Sequence, residues 1–368
     1  MPILLTENCI GCGACVEICK PHSIKLRDVE GGAQQAFISE KGCTGCGRCK
    51  VICPQLRSMR KSQLFYYAYQ QPQKELLSVA QSGGAFGVLC KWIFAQRGKV
   101  VGVRYTNNCR SVEYAIADDV EGGGEFHGSK YVLPRVSDVI PALREALESG
   151  RLVMFVGLPC HCAAVRNLFK NKDNLLIIDV LCYGPMSPEV WKALMDECFH
   201  EEEIRQFCYR DKTRTGWAAS EMSFVNEEGK KMYLSKRDGR KFKKIFESGV
   251  AQAEPCLRCK FRTVERVGDL TLGDFWGIEQ FISLPSSRIH GGISLIFCNT
   301  EKGERLMKEF EPGLIGKFDN FEELKNFNGG LNPSKVNEKL HSRFWTLCKV
   351  FGVSNVVRYG RLLGVRYK

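Results

Sequence analysis

The sequence predicts an α+β chain in two unequal parts: a small cysteine-dense module over residues 1–60, then a mixed α/β body with a β-rich insertion. Three observations lead there. Eight of the 19 cysteines fall within the first 53 residues, in two runs of one spacing. From Leu64 to about residue 203, short β-rich runs alternate with amphipathic segments. Beyond that point the alternation loosens into stretches that read mostly as strand.

A chain of 368 residues can bury proper cores without covalent staples. The cysteines are therefore not read as a disulfide framework, which belongs to short secreted chains. The opening "MPILLTENCIGCGAC" has no charged segment followed by a long apolar core. Apolar runs such as "LLIIDVLCY" are too short to span a bilayer. A reducing, cytoplasmic setting with no membrane span is expected.

The first module rests on Cys9, Cys12, Cys15 and Cys19, and on Cys43, Cys46, Cys49 and Cys53, both runs reading C-x2-C-x2-C-x3-C. Three thiolates so closely spaced hold three corners of a 4Fe-4S cubane, and the fourth reaches across to the other cluster. Cys9, Cys12, Cys15 and Cys53 are thus assigned to one cluster, and Cys43, Cys46, Cys49 and Cys19 to the second. Gly11, Gly13, Gly45 and Gly47 between the ligands allow close backbone approach to sulfur. Zinc knuckles would more usually show two separated pairs or a histidine. The first run ends Cys19-Lys20-Pro21, so its proline comes one residue later than Pro54 of the second. The module is a two-cluster ferredoxin fold, a relay for single electrons.

In the body, "LFYYAYQ", "KVVGVRY", "SVEYAIAD", "RLVMFVG" and "NLLIIDVLC" read as strands. "AFGVLCKWIFAQRG", "DVIPALREALESG", "HCAAVRNLF" and "SPEVWKALMDECF" between and after them read as helices. A hairpin is expected in "EMSFVNEEGKKMYLS", turning at Glu228-Gly229, followed by strands in "DLTLGDFWG" and "GISLIFCNT" and a helix in "EKGERLMKEF". No G-x-G-x-x-G follows any strand, so a Rossmann dinucleotide site is unsupported. Ser82, Gly83 and Gly84 precede a helix, where bare N–H groups receive a phosphate; an ordinary serine N-cap explains them equally. Lys130 and Tyr131 beside Gly128 and Ser129 supply a cation for a pyrophosphate or a reduced flavin ring, or form a surface turn.

Two cysteines stand at strand ends. Cys160 follows Gly157-Leu158-Pro159 where the next helix begins, a position that favours a thiolate and suits a metal ligand, a nucleophile or a redox thiol, or a small buried cysteine. Cys182 ends a second apolar strand before Gly184-Pro185. The carboxyl ends of neighbouring parallel strands share one edge, so these two could meet there. The isolated pair Cys256 and Cys259 would complete four ligands for a third cluster.

The formal charge is +12, from 53 Lys and Arg against 41 Asp and Glu. Such a balance raises nucleic-acid binding, but three clusters at about −2 each would bring it to roughly +6. No nucleic-acid partner is inferred. From Leu340 onward six Lys or Arg stand against no acid, read as a basic tail over 346–368 that is either solvated or a docking patch for an acidic carrier.

Taken together, the double cysteine run, "SGGAF" at 82–86, "GSKY" at 128–131, "GLPC" at 157–160, "DVLCYG" at 179–184, "GW" at 216–217, "CLRCKF" and "DLTLGDFWG" resemble the ferredoxin-fused members of the family of coenzyme F-420 hydrogenase/dehydrogenase beta subunits. The resemblance implies an FAD and 4Fe-4S binding domain over 61–345. Cys160, Cys182, Cys256 and Cys259 would ligate its cluster. Ser82, Gly83, Gly84, Gly128, Ser129, Lys130, Tyr131, Gly157 and Pro159 would contact FAD, with Lys130 as the cation stabilising reduced flavin. It implies an iron-sulfur flavoprotein oxidoreductase that passes electrons between a ferredoxin or flavodoxin type carrier and a two-electron substrate, organic or deazaflavin. Two alternatives stand beside it: an electron-transfer component docked to a larger redox complex with no substrate of its own, and a redox-sensing or structural iron-sulfur protein. The sequence departs from the pattern at His161, where an amide is expected, and at Tyr183, where histidine is common. Asp274, Trp276 and Trp217 are either packing residues or walls of the flavin's open face; His127 and His290 are either structural or proton donors.

Overall fold

The structure, a computed structural model, describes residues 3–58, 65–200, 202–360 and 362. The N-terminal module is a three-stranded antiparallel sheet in which Gln34–Ile38 lies between Ile3–Leu4 and Ile24–Asp28. Two five-residue helices, Ala14–Ile18 and Arg48–Ile52, begin inside the cysteine runs. Each is entered through a glycine in the left-handed region, Gly13 at φ 75 and Gly47 at φ 68, a conformation that a side chain would strain.

The body is an eight-stranded mixed sheet. Its order is Leu314–Phe318, Phe65–Tyr69, Ser294–Cys298, Leu270–Asp274, Leu175–Val180, Val153–Gly157, Lys99–Thr106 and Ser111–Ala117. The four strands from Leu270–Asp274 to Lys99–Thr106 run parallel, and the flanking pairs are antiparallel. Parallel strands covered on both faces read as continuous apolar runs, as Val153–Gly157 and Leu175–Val180 do. Alternate residues point to opposite sides. Val101, Phe155 and Ile177 pack under the helices Ile140–Glu148 and Pro159–Leu168, while Val100, Met154, Leu176 and Ile178 pack under Ala85–Ala95. The register sets Gly157 beside Asp179 and Val180 beside Leu272. Three parallel strands therefore release their chains at one edge, where ligands of open α/β sheets bind.

The β-rich insertion is a separate three-stranded sheet of Ile204–Asp211, Glu221–Asn226 and Lys231–Tyr233. Its hairpin turns between Val225 and Lys231, with Gly229 at φ 80. It packs on a second core built on Trp191, Phe242, Ile245 and Phe344.

Residues 346–359 do not form a solvated tail. The helix Glu338–Phe351 runs through the boundary placed at residue 345, and Val353–Tyr359 forms another. His341, Phe344, Trp345 and Cys348 are buried, as are Val356 and Val357. The first four are spaced as one helical stripe, which leaves Arg343 and Lys349 exposed on the other side. Arg361, Arg366 and Lys368 lie outside the described residues. Among the described residues no helix is long and apolar enough to cross a membrane.

Candidate functional site

Cys9, Cys12, Cys15 and Cys53 line one small cleft of the N-terminal module and are all buried. The Ala36 N–H donates to Cys9 Sγ at 3.3 Å, the kind of bond that tunes a cluster sulfur. Burial pushes the Cys12 thiol up to about 12, and neighbouring Cys9 and Cys53 add to the shift. Cys15 is raised for the same reasons. Thiols that oppose one another's ionisation suit a site in which iron supplies the opposite charge. Of the thiols assigned to the second cluster, Cys43 and Cys46 are exposed, and Cys19 and Cys49 are partly covered. The Arg48 N–H, followed by Thr44, lowers the Cys46 pKa.

Cys160, Cys182, Cys256 and Cys259 line a single cavity of about 320 Å³ at the strand-end edge. Cys160 sits in the first turn of Pro159–Leu168. A helix start favours the thiolate; here burial, then Cys259, Cys182 and Cys256, raise its pKa instead. Burial also raises Cys256 and lifts Cys182 to about 11, against the pull of the Gly184 N–H, Arg262 and Arg266. Among the described residues, no three His, Cys, Asp or Glu side chains converge on a single ion. Ligands to four different irons of a cubane need not do so. Cys162 points away, donating toward the carbonyls of Gly157 and Ile178 at 3.5 Å.

Two arginines, Arg266 buried and Arg262 half-buried, hold the segments that carry these thiols. The Arg266–Asp179 pair is fully buried, with Arg266 Nη2 2.6 Å from Asp179 Oδ1. Asp179 also accepts from the N–H groups of Val267 and Gly268, at 3.1 and 2.7 Å. Arg262 donates to the carbonyls of Asn332 and Gly329 and reaches that of Tyr183 at 3.4 Å. Cys9 joins the cavity wall, and Cys12 is close enough to raise the Cys160 pKa. Lys260 lies near both Cys53 and Cys259, with its ammonium donating to the carbonyls of Gln55 and Arg57. The first cysteine run therefore faces the strand-end thiols.

A second cavity, of about 300 Å³, lies on the other side of a wall made by Leu158, Cys182, Gly184 and Pro185, which line both. Ser82, Gly84, Gly128, Ser129, Lys130, Tyr131 and Gly157 line this second cavity, together with His127, Tyr183, Asp274 and Trp276. Gly83 and Pro159 do not. A Cβ on Gly83 would lie 2.2 Å from the Tyr69 carbonyl oxygen and 2.4 Å from the Ser294 nitrogen, so this glycine lets the turn before the helix approach two strand ends, and Pro159 faces the thiol cavity. Ser82 is not a helix cap. Its hydroxyl donates to the Ile293 carbonyl, and Gly84 caps the helix at φ 89.

The cation assigned from sequence is engaged elsewhere. Lys130 Nζ donates to the carbonyls of Glu125 and His127, at 2.7 and 2.6 Å, and burial lowers its pKa to about 7. Arg210, on the same cavity, was missed. It is ion-paired with Asp274, lies 5.0 Å from the Trp276 ring centre, and its Nη2 is buried with no hydrogen-bond partner. Burial opposes its charge, but Asp274 and Tyr131 outweigh that and raise its pKa. Trp217 is stacked on Trp276 with ring centres 4.3 Å apart and donates to Asp274 at 3.0 Å. His161 is buried with Nδ1 2.9 Å from the Tyr114 hydroxyl, and burial lowers its pKa to about 3. The His290 ring packs against Gly216 and lines neither cavity. An aromatic, glycine-lined chamber with one unsatisfied guanidinium N–H fits a planar ring bearing an anionic or carbonyl edge. FAD is such a group.

Residues 150–322 match the family described as the C terminus of the coenzyme F-420 hydrogenase/dehydrogenase beta subunit, and residues 8–56 match the 4Fe-4S dicluster domain. The first match takes in all four thiols of the larger cavity, Arg210 and Asp274; the second takes in both cysteine runs. The chain is 26% identical over 258 residues to the F subunit of the F(420)H(2) dehydrogenase of Methanosarcina mazei, covering 65% of this chain and 64% of that relative's length. A chain in the xenon-derivatised F-420-reducing [NiFe] hydrogenase complex from Methanosarcina barkeri superposes with a TM-score of 0.48 at 15% identity, over 77% of this chain and 93% of that one.

Proposed function

We infer that this chain, whose residues 150–322 match the C terminus of the coenzyme F-420 hydrogenase/dehydrogenase beta subunit and whose residues 8–56 match the 4Fe-4S dicluster domain, is an iron-sulfur flavoprotein oxidoreductase, passing electrons between one-electron carriers and a two-electron substrate at FAD. The observation that carries this reading is the shared wall: Cys182 borders both the four-thiol cavity and the aromatic chamber. FAD, when bound, supplies the conversion between two-electron and one-electron transfer. Cys160, Cys182, Cys256 and Cys259 would hold the adjoining 4Fe-4S cluster, and the two cysteine runs would hold the other two.

The remaining work belongs to the chain. Asp274, held by Trp217, orients Arg210 so that its open N–H and positive charge face the chamber, where negative charge on a reduced ring is best met. Lys130 ties the 125–130 turn to itself and lines the chamber. Phe126, Phe246 and Trp276 give the chamber apolar walls. Protein made anaerobically with iron, sulfide and FAD should keep one flavin per chain after desalting. Full iron with no flavin would refute the reading. The M. mazei relative is named as one subunit of a dehydrogenase, which favours a second reading, electron transfer within a larger assembly. Turnover of a small substrate by this chain alone would exclude it.

A further inference from the structure

The two cysteine runs share a spacing and differ in their surroundings. A Cβ on Gly11 would lie 2.5 Å from the Gln34 carbonyl oxygen, and one on Gly13 would lie 2.9 Å from Ser137. At the matching positions of the second run, Gly45 and Gly47, a Cβ would meet nothing within 4 Å. Cys9, Cys12 and Cys15 are buried, whereas Cys43 and Cys46 are exposed. One run faces the body and the other faces outward.

The outward face is basic. Lys41, Arg48 and Lys50 are exposed along it, and Lys20 is exposed beside Cys19. Glu40 is the one acid between residues 39 and 58. None of the four cations forms an ion pair among the described residues. Val51, 69% exposed, adds apolar surface beside Lys50. The geometry points to this face as the docking site of a small one-electron carrier protein with an acidic surface. Opposite charge steers encounter and fixes register, and the exposed ligand thiols place the receiving cluster at the contact. The carrier gives up one electron, which passes to the cluster on Cys43, Cys46, Cys49 and Cys19; no bond or proton changes hands. The strand-end thiols, which the first run faces, lie farther along the same path. The inference rests on the N-terminal module being the point of electron entry.

The test uses the full chain loaded with iron, sulfide and FAD, then desalted and mixed anaerobically with a pre-reduced ferredoxin of net negative charge. Bleaching of cluster absorbance gives the rate, and binding of the oxidised ferredoxin gives the affinity. The R48E/K50E variant should lower the second-order rate constant at least about tenfold and flatten its salt dependence. Iron content and reduction by methyl viologen should be unchanged. If that variant fails to assemble its cluster, K20E/K41E carries the test. R358E, on the C-terminal helix Val353–Tyr359, should leave the rate as it was. An unchanged rate in the first variants, an equal fall in R358E, or no reduction by the acidic ferredoxin at all overturns the proposal. Flavin measured in the same samples reports separately on the flavin reading.

Discussion

Asp179→Ala removes the partner of a guanidinium that has no access to water. Both side chains of the Asp179–Arg266 pair are 0% exposed. Breaking such a pair from one side costs about 3–5 kcal/mol, because the remaining charge stays buried. The Val267 and Gly268 N–H groups lose their acceptor as well, at about 1–3 kcal/mol for a group left unsatisfied. Arg266 keeps its bonds to the carbonyls of Phe261, Thr263 and Val180, so the upper part of the first range, and not the sum, is expected. The damage is local to the thiol cavity: Asp179 is three residues before Cys182, and Arg266 seven after Cys259. Denaturant unfolding should show that loss, and iron should fall from about 12 toward about 8 per chain as the third cluster fails to assemble. An Asp179→Leu, Arg266→Met double variant should recover much of the stability. A loss under about 1 kcal/mol with full iron would refute the reasoning.

Lys130 gives a pH prediction. Its folded pKa of about 7 lies below the unfolded value of about 10.4. Between those values the unfolded chain binds more protons, so this residue contributes rising stability as pH increases, by at most about 1.4 kcal/mol per unit. Lys130→Met lacks that contribution, and the wild type's midpoint should rise relative to the variant's from pH 7 to pH 9; parallel curves contradict it. Ending the chain at residue 345 removes Cys348, Val356 and Val357 from the core around Trp191. The two valines alone should cost about 3 kcal/mol or more, and an unchanged unfolding midpoint would contradict the packed-helix description.

The parts legible in the sequence were those encoded locally. Cysteine spacing marks the dicluster module because its ligands sit within a few residues of one another. The strand-end position of Cys160 and Cys182 foretells a shared edge because parallel strands align their carboxyl ends. The 225–231 turn and the apolar strands follow from period and glycine placement. Arg210 was missed because nothing local distinguishes it in "FCYRDK"; its partner Asp274 is 64 residues away. The cation role of Lys130 is implied by the family resemblance; the fold sets Lys130 on the chamber wall with its ammonium bonded to carbonyls of its own loop, which the "GSKY" turn does not disclose. The C-terminal helices are masked in the sequence by net charge: the basic residues from Arg343 onward dominate the composition, while the 341, 344, 345, 348 stripe is short and its partner core around Trp191 is distant in sequence.

The central claim is that thiols from three separate segments form one cluster site beside the flavin chamber. Cys256→Ala tests it most directly, by iron and flavin content after anaerobic reconstitution. The account predicts iron falling from about 12 to about 8 per chain, with the dicluster spectrum intact and flavin retained. Unchanged iron would show that Cys160, Cys182, Cys256 and Cys259 do not share a cluster.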